Sequence, residues 1–275
     1  MTRFVAAAVQ LDTQDNKQMN LQAAETYIRE SAARGAELVV LPETMNYLGR
    51  DMVEEAESIP GGLTFRKMAA LARELKLWLQ AGSIYETNPE DPARPFNTTF
   101  LVNPQGELVA KYSKLHPFDV VLPNGVTSRE SDRVCPGRTI VTAATPWAKL
   151  GMAICYDIRF GEMFRLMALE GAKLFVVPAN FTVNTGKDHW ETLLRARAIE
   201  NECYVIAPNQ FGRKPRFTAY ANSMIIDPWG TVIARASDKP GIITAEIDLE
   251  YVEKVRHSTF TLANRREDVY GLQKK

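Results

Sequence analysis

The sequence predicts an α/β fold: one sandwich of two sheets, helices on the outer faces, and approximate internal two-fold symmetry. Three observations predict it. Two similar tracts, "GAELVVLPE" from residue 35 and "GAKLFVVPAN" from residue 171, each carry a continuous apolar run of the kind buried on both faces. Segments with helical spacing flank both runs. A hairpin sequence, "FLVNPQGELVAKYS", returns as "MIIDPWGTVIARAS" at an offset of 124.

Residues 4–10 read as a strand. Residues 16–34 have helical spacing at Leu21, Ala24 and Ile28, and the helix ends near Gly35. Residues 38–41 form the first apolar strand. A second helix covers 63–76, with Phe65, Met68, Ala72 and Leu75 on one face. "LWLQAGSIY", 77–85, reads as a third strand. Residues 100–113 form the hairpin, whose Asn103-Pro104-Gln105-Gly106 suits a type I turn. Residues 117–138 show little periodicity and carry prolines and glycines, which predicts a long loop of functional use.

The second half repeats this order: strand 150–154, helix 162–170, a strand within 171–180, helix 189–201, strand 203–208 and hairpin 224–237. Two helix-plus-sheet layers of this kind bury their sheets against each other. No Ser/Gly linker separates the halves, so residues 1–275 read as a single domain.

Composition narrows the function classes. The chain is 45% hydrophobic and 24% charged, with 33 Lys+Arg against 33 Asp+Glu. That balance gives no electrostatic reason to expect nucleic acid or an anionic membrane as partner. Cys135, Cys155 and Cys203 are far apart and odd in number, which argues against a disulfide framework and a thiolate zinc site. No run approaches the ~20 apolar residues of a membrane span. The first apolar run stops at Gln10 and Asp12, short of a signal-peptide core. The expectation is a cytoplasmic protein.

Three residues stand at three predicted strand ends: Glu43 after the strand ending at Leu41-Pro42, Lys114 after the first hairpin, and Cys155 after Met152-Ala153-Ile154. Reactive groups of α/β sheets gather beyond the carboxyl ends of the strands. A thiol, a carboxylate and an ammonium on one rim suit covalent acyl chemistry. The thiol attacks, the carboxylate moves the proton, and the ammonium lowers the thiol pKa and holds the oxyanion. Taken singly, each has a plainer reading: core filler, loop carboxylate, solvated lysine.

The local sequences decide between these readings. "LPETMNYLG", "KYSKLHPFD" and "GMAICYDIRFGE" resemble, in order, the three motifs of the nitrilase superfamily of carbon–nitrogen hydrolases. The resemblance continues through "TGKDHWETLLRARAIENECYV" and "SMIIDPWG" and covers nearly the whole chain. Within the superfamily the chain looks most like the Nit branch, the amidases of deaminated glutathione and of 2-oxo acid ω-amides. "PETMNYLGRD" and "SRESDRVCPG" lean toward the former.

The resemblance implies an αββα sandwich that dimerises into four layers, a Glu43–Lys114–Cys155 triad, and no metal or organic cofactor. It implies support from Glu130 and from the backbone N–H of Tyr156. It also implies substrate contacts at Arg159, Phe181 and Thr185, while Asn180, at the second-half strand end equivalent to that of Glu43, reads as a residue lining the same cleft. An internal pair of Arg159 with Asp157 or Glu162 is the competing reading. The expected partner is a small amide, with no nucleic acid and no membrane, in a homodimer or higher even oligomer. The C-terminal segment, about 251–275, resembles a tract that packs at the subunit interface. His116, His189 and His257 have no metal-ligand spacing, and His189 resembles a structural His-Trp pair. Ala221-Asn222-Ser223, Gly161 and Lys187-Asp188 depart from the family's common residues and leave the exact amide open. An N-carbamoyl amino acid amidohydrolase is the enzymatic alternative, and a catalytically idle binding protein the distant one.

Overall fold

A computed structural model describes residues 2–121 and 127–274. The first half runs β1 (Arg3–Gln10), α1 (Lys17–Ala33), β2 (Leu38–Val40), α2 (Leu63–Leu75), β3 (Trp78–Gln80), β4 (Ile84–Glu86), β5 (Phe96–Val102) and β6 (Leu108–Ser113). A small pair, β7 (Asp119–Val121) and β8 (Thr127–Arg129), follows. The second half runs β9 (Thr142–Ala144), β10 (Lys149–Met152), α3 (Gly161–Leu169), β11 (Ala172–Val176), α4 (Val183–Asn201) and β12 (Tyr204–Ala207). Then come β13 (Phe211–Arg213), β14 (Thr218–Tyr220), β15 (Met224–Ile226), β16 (Val232–Arg235), β17 (Gly241–Asp248) and α5 (Leu249–Thr259).

Two sheets form the centre. One is ordered β17-β1-β2-β3-β5-β4 with β6 on β5, the other β16-β15-β12-β11-β10-β9. Strand alternation divides the burial between two layers. In β1, Phe4, Ala6 and Ala8 face the second sheet and share a core with Met152 and Phe175. Ala7 and Val9 face the other way, onto Leu21, Ala24 and Ile28 of α1 and Met68 of α2. Leu38 and Val40 of β2 join the first core, Val39 the second. Helices α3 and α4 cover the second sheet, where Phe164 meets Phe175 edge-on at 5.1 Å. The layers are therefore α, β, β, α, and the parallel trio β1-β2-β3 is echoed by β10-β11-β12.

Four elements differ from the sequence expectation. The strand expected at 77–85 runs on in one direction along β5 but is split into β3 and β4 by a bulge around Gly82, whose φ is +60°. Helix α4 begins at Val183 rather than 189. Its first turn lines a cavity instead of the core, so apolar spacing is missing there. The expected loop at 117–138 holds β7, β8 and a 3₁₀ turn at Glu130–Asp132, while residues 122–126 lie outside the described residues. Strand β17 and helix α5 have no counterpart in the first half, so the repeat does not announce them. Val252 and Val255 of α5 are buried in the chain's own core, so the expected tail starts as a packed helix. Among the described residues no helix is long and apolar enough to cross a membrane.

Candidate active site

Glu43 leaves β2 through Leu41-Pro42. The bulge at Gly82 lies against this exit so closely that a Cβ there would stand 2.1 Å from the Pro42 carbonyl oxygen. Ser83 Oγ accepts from the Thr44 N–H at 3.0 Å, and Gln210 Nε2 donates to the Glu43 carbonyl at 2.8 Å. The Glu43 backbone is thus fixed from both halves of the chain. Its carboxylate is 4% exposed as a residue and accepts from Asn97 Nδ2 at 2.8 Å and the Asn180 N–H at 2.9 Å.

Lys114 follows β6. Its carbonyl accepts from the Gly137 N–H at 2.8 Å, an approach so tight that a Cβ on Gly137 would lie 2.1 Å from the Ser113 oxygen. The buried ammonium donates to Glu43 Oε1 at 3.0 Å and to Glu130 Oε2 at 2.9 Å. Glu130 Oε2 also accepts from the Phe118 N–H at 2.5 Å.

Cys155 follows the exit of β10. Its N–H donates to the Pro178 carbonyl at 2.8 Å, extending the parallel pairing past β11. Cys155 then takes φ +47°, in the left-handed region, and opens a 3₁₀ turn over Cys155–Arg159. That sharp reversal turns the thiol out of the strand direction toward the cavity. The Tyr156 N–H, in the first turn, has no partner among the described residues.

Electrostatics follow from burial. Burial alone would push the Lys114 ammonium down, but Glu130 and Glu43 outweigh it and hold the pKa well above its ordinary value. Burial pushes the Cys155 thiol well up, the Glu43 charge adds to this, and Lys114 only partly opposes. This corrects the expectation of a thiol acidified by the ammonium. The thiol rests protonated and needs a neighbouring base at the moment of attack.

These residues line one cavity of about 990 Å³. Glu43, Lys114, Glu130, Cys155, Tyr156, Asn180, Phe181 and Thr185 all border it. Asn180 Oδ1 and Asn97 Oδ1 are buried without a hydrogen-bond partner in the protein, so each is an acceptor open to a ligand donor. Asn97 escapes the sequence reading because its strand reads from Phe100. The polar Asn97-Thr98-Thr99 inside a strand is the signal that could have found it.

Arg159 does not border the cavity directly. Its guanidinium lies behind two of the cavity's rings, 5.6 Å from the Tyr156 centroid and 5.5 Å from that of Phe181, and 3.3 Å from His189 Nδ1. The competing pair with Asp157 does not form. Asp157 is fully buried and serves Tyr112 Oη at 2.7 Å, His116 Nδ1 at 2.7 Å and the Ile154 N–H at 2.8 Å. Nor does Glu162 lie within salt-bridge distance of Arg159 among the described residues.

The departures lie off the triad. Ala221 and Asn222 take φ of +58° and +55°, and the Asn222 carbonyl accepts from buried Trp190 Nε1 at 2.9 Å. Gly161 opens α3, and Lys187 and Asp188 are exposed on α4. Among the described residues no three His, Cys, Asp or Glu side chains form a metal-holding group.

Known proteins resemble this chain in sequence and fold. The sequence matches the carbon-nitrogen hydrolase family over residues 5–257. Human deaminated glutathione amidase is 40% identical over 273 residues, covering 97% of this chain and 84% of that protein. Human omega-amidase NIT2 is 37% identical over 278 residues, covering 100% of this chain and 99% of that one. The crystal structure of the C. elegans NitFhit protein superposes with a TM-score of 0.92 at 37% identity, covering 99% of this chain and 67% of that one. This chain spans 62% of the full NitFhit fusion protein. With a family match over most of its length, the chain belongs to the carbon-nitrogen hydrolase family and is an amidase, an enzyme of C–N bonds other than peptide bonds.

Proposed function

We propose that this amidase hydrolyses a small carboxylated amide of the deaminated glutathione or 2-oxo acid ω-amide type through a thioester on Cys155. The observation that carries the reading is Cys155 bordering the same cavity as a buried Glu43–Lys114–Glu130 chain of contacts at 3.0 and 2.9 Å.

Glu43 takes the thiol proton as Sγ bonds to the amide carbon. The carbonyl π pair moves to oxygen, where Lys114 and the Tyr156 N–H hold it; one such donor contributes ~10²–10³ in rate. The oxyanion re-forms the carbonyl, the C–N bond breaks, and Glu43 returns its proton to the departing nitrogen. Water then adds to the thioester, giving its proton to Glu43. The C–S bond breaks, the sulfur is reprotonated, and the acid leaves. Glu130 holds Lys114 in place throughout. Arg159, Asn180, Phe181 and Thr185 orient the acyl fragment.

The closeness of both human amidases supports this substrate class. Three free cysteines fit a cytoplasmic setting. A homodimer, or a higher even oligomer, would use the exposed residues beyond α5 for contact.

The test is amine release across small amides, carbamoyl acids and nitriles, with native protein and Cys155→Ala. Release from carboxylated amides that vanishes in Cys155→Ala is expected. Substantial turnover by purified Cys155→Ala would sink the mechanism.

A further inference from the structure

Glu43 uses its two carboxylate oxygens unequally. Oε1 accepts from Asn97 Nδ2 at 2.8 Å and from Lys114 Nζ at 3.0 Å. Among the described residues Oε2 accepts only from the Asn180 N–H, at 2.9 Å. A carboxylate oxygen offers about two lone-pair sites. Oε1 is therefore filled, and Oε2 keeps one site open. The thiol lies on the open side. Burial and then the Glu43 charge raise the Cys155 thiol, while Lys114 and the Asn180 N–H oppose them, so the N–H that binds Oε2 also faces the sulfur.

Asn97 is what fills Oε1 beside the lysine. It stands on β5, paired with Tyr85 of β4. Its backbone carbonyl accepts from the Lys114 N–H at 2.8 Å. One residue thus holds the lysine through its main chain and the carboxylate through its side chain, and so sets how far apart they stand. The amide fits only this way round. Turned over, its oxygen would meet a carboxylate oxygen, and two acceptors would face each other.

The remainder of that amide has no structural task. Asn97 is 1% exposed, and its Oδ1 has no partner among the described residues. The next two polar residues of the strand differ. Thr98 Oγ1 shares a hydrogen bond with Ser113 Oγ at 2.9 Å, and Thr99 Oγ1 accepts from Gln80 Nε2. A buried amide that leaves its oxygen unpaired costs stability, and an apolar side chain of similar size would avoid that cost. The contact with Glu43 is the gain set against it.

We propose that Asn97 is a positioning residue for the reaction: it keeps Glu43 Oε1 occupied as the anchor and leaves Oε2 as the oxygen that carries the proton. This rests on the amidase reading of Glu43 and Cys155 above. All four transfers then use one atom. Oε2 takes the thiol proton as the S–C bond forms and gives it to nitrogen as the C–N bond breaks. It takes a proton from water as the new C–O bond forms and gives it to sulfur as the C–S bond breaks. The Asn97 amide does not titrate, so the anchor is the same at every step.

The experiment compares native protein with Asn97→Leu, a change of similar size that leaves the backbone bond to Lys114 in place. On a carboxylated amide that the native protein turns over, kcat should fall on the order of 10²-fold, the cost of a misplaced catalytic group, with KM changed by less than about threefold. The acid limb of the kcat/KM profile should move to higher pH, because a carboxylate that loses a donor holds its proton more tightly. A kcat near the native value overturns the proposal. So does an acid limb that stays in place, since a merely structural side chain would change kcat and stability without touching that titration. If Asn97→Leu fails to fold, Asn97→Ser, which offers a shorter donor, is read by the same two measurements. Native protein that releases amine from no amide would overturn the amidase reading and this proposal together. Native turnover with an unmoved limb in the variant overturns this proposal alone.

Discussion

Asp157 grips His116 twice, accepting from its backbone N–H at 3.1 Å and facing its ring Nδ1 at 2.7 Å. Asp157 lies two residues past Cys155 and His116 two past Lys114. Their contact therefore fastens the thiol turn to the lysine strand. Tyr112 Oη reinforces it, donating to Asp157 Oδ2 at 2.7 Å and accepting from the Leu115 N–H at 3.0 Å. Phe160 stacks on the His116 ring at 3.6 Å.

The first prediction is that Asp157→Ala destabilises the protein by about 3 kcal/mol or more, since several buried donors lose their acceptor at ~1–3 kcal/mol each. Chemical denaturation measures this. In protein still folded, kcat should fall more than KM rises, because the two reacting segments lose their tie. A change of less than 1 kcal/mol would mean that water replaces the carboxylate.

The second concerns the thiol. Glu43 raises the Cys155 pKa, so Glu43→Gln should move the thiolate titration, followed by absorbance near 240 nm, to lower pH. The sign matters: more thiolate at neutral pH, yet turnover lower by ~10²–10⁴, because the proton carrier is gone. Lys114→Met should move the titration the other way. A rise in thiol pKa on Glu43→Gln would contradict the site's electrostatics.

The third concerns Arg159. If its guanidinium reaches past Tyr156 and Phe181 to an acyl carboxylate, Arg159→Lys should lower kcat/KM for a dicarboxylate monoamide by roughly 10–100-fold more than for its neutral analogue. Equal losses would assign Arg159 to holding the two rings and His189 instead.

The fourth is a stabilisation. Ala221 occupies left-handed backbone at φ +58°, where a Cβ costs roughly 1–2 kcal/mol. Ala221→Gly relieves this but loosens the unfolded chain, for a net gain of about 0.5–1 kcal/mol. Thermal unfolding of the two proteins checks it, and a loss of stability would show that the methyl group contributes packing.

The α/β class, the two halves and the positions of Glu43, Lys114 and Cys155 were legible because they depend on local patterns repeated along the chain. Apolar runs mark buried strands, and polar residues just past them mark the rim. What was hidden depends on long-range contact. Gly82 and Gly137 look like ordinary loop glycines until the neighbouring carbonyl is in view. The resting state of the Cys155 thiol is set by burial, which no linear motif displays. The first turns of α4 lacked apolar spacing because they border a cavity. Asn97 sits in the polar start of a strand whose apolar pattern begins at Phe100, so only the Asn97-Thr98-Thr99 run could have singled it out.

Strand β1 lies between β2 and β17, paired with the latter along its whole length from Arg3–Asp248 to Gln10–Gly241. During synthesis on the ribosome, β1 emerges long before the partner for its outer edge is translated. Until then that edge offers unpaired backbone groups, and Phe4, Ala6 and Ala8 lack the second-sheet core they pack against. Completion of the first sheet is therefore a late event, and a nascent chain arrested before residue 241 should be held by chaperones or aggregate rather than rest as a folded half.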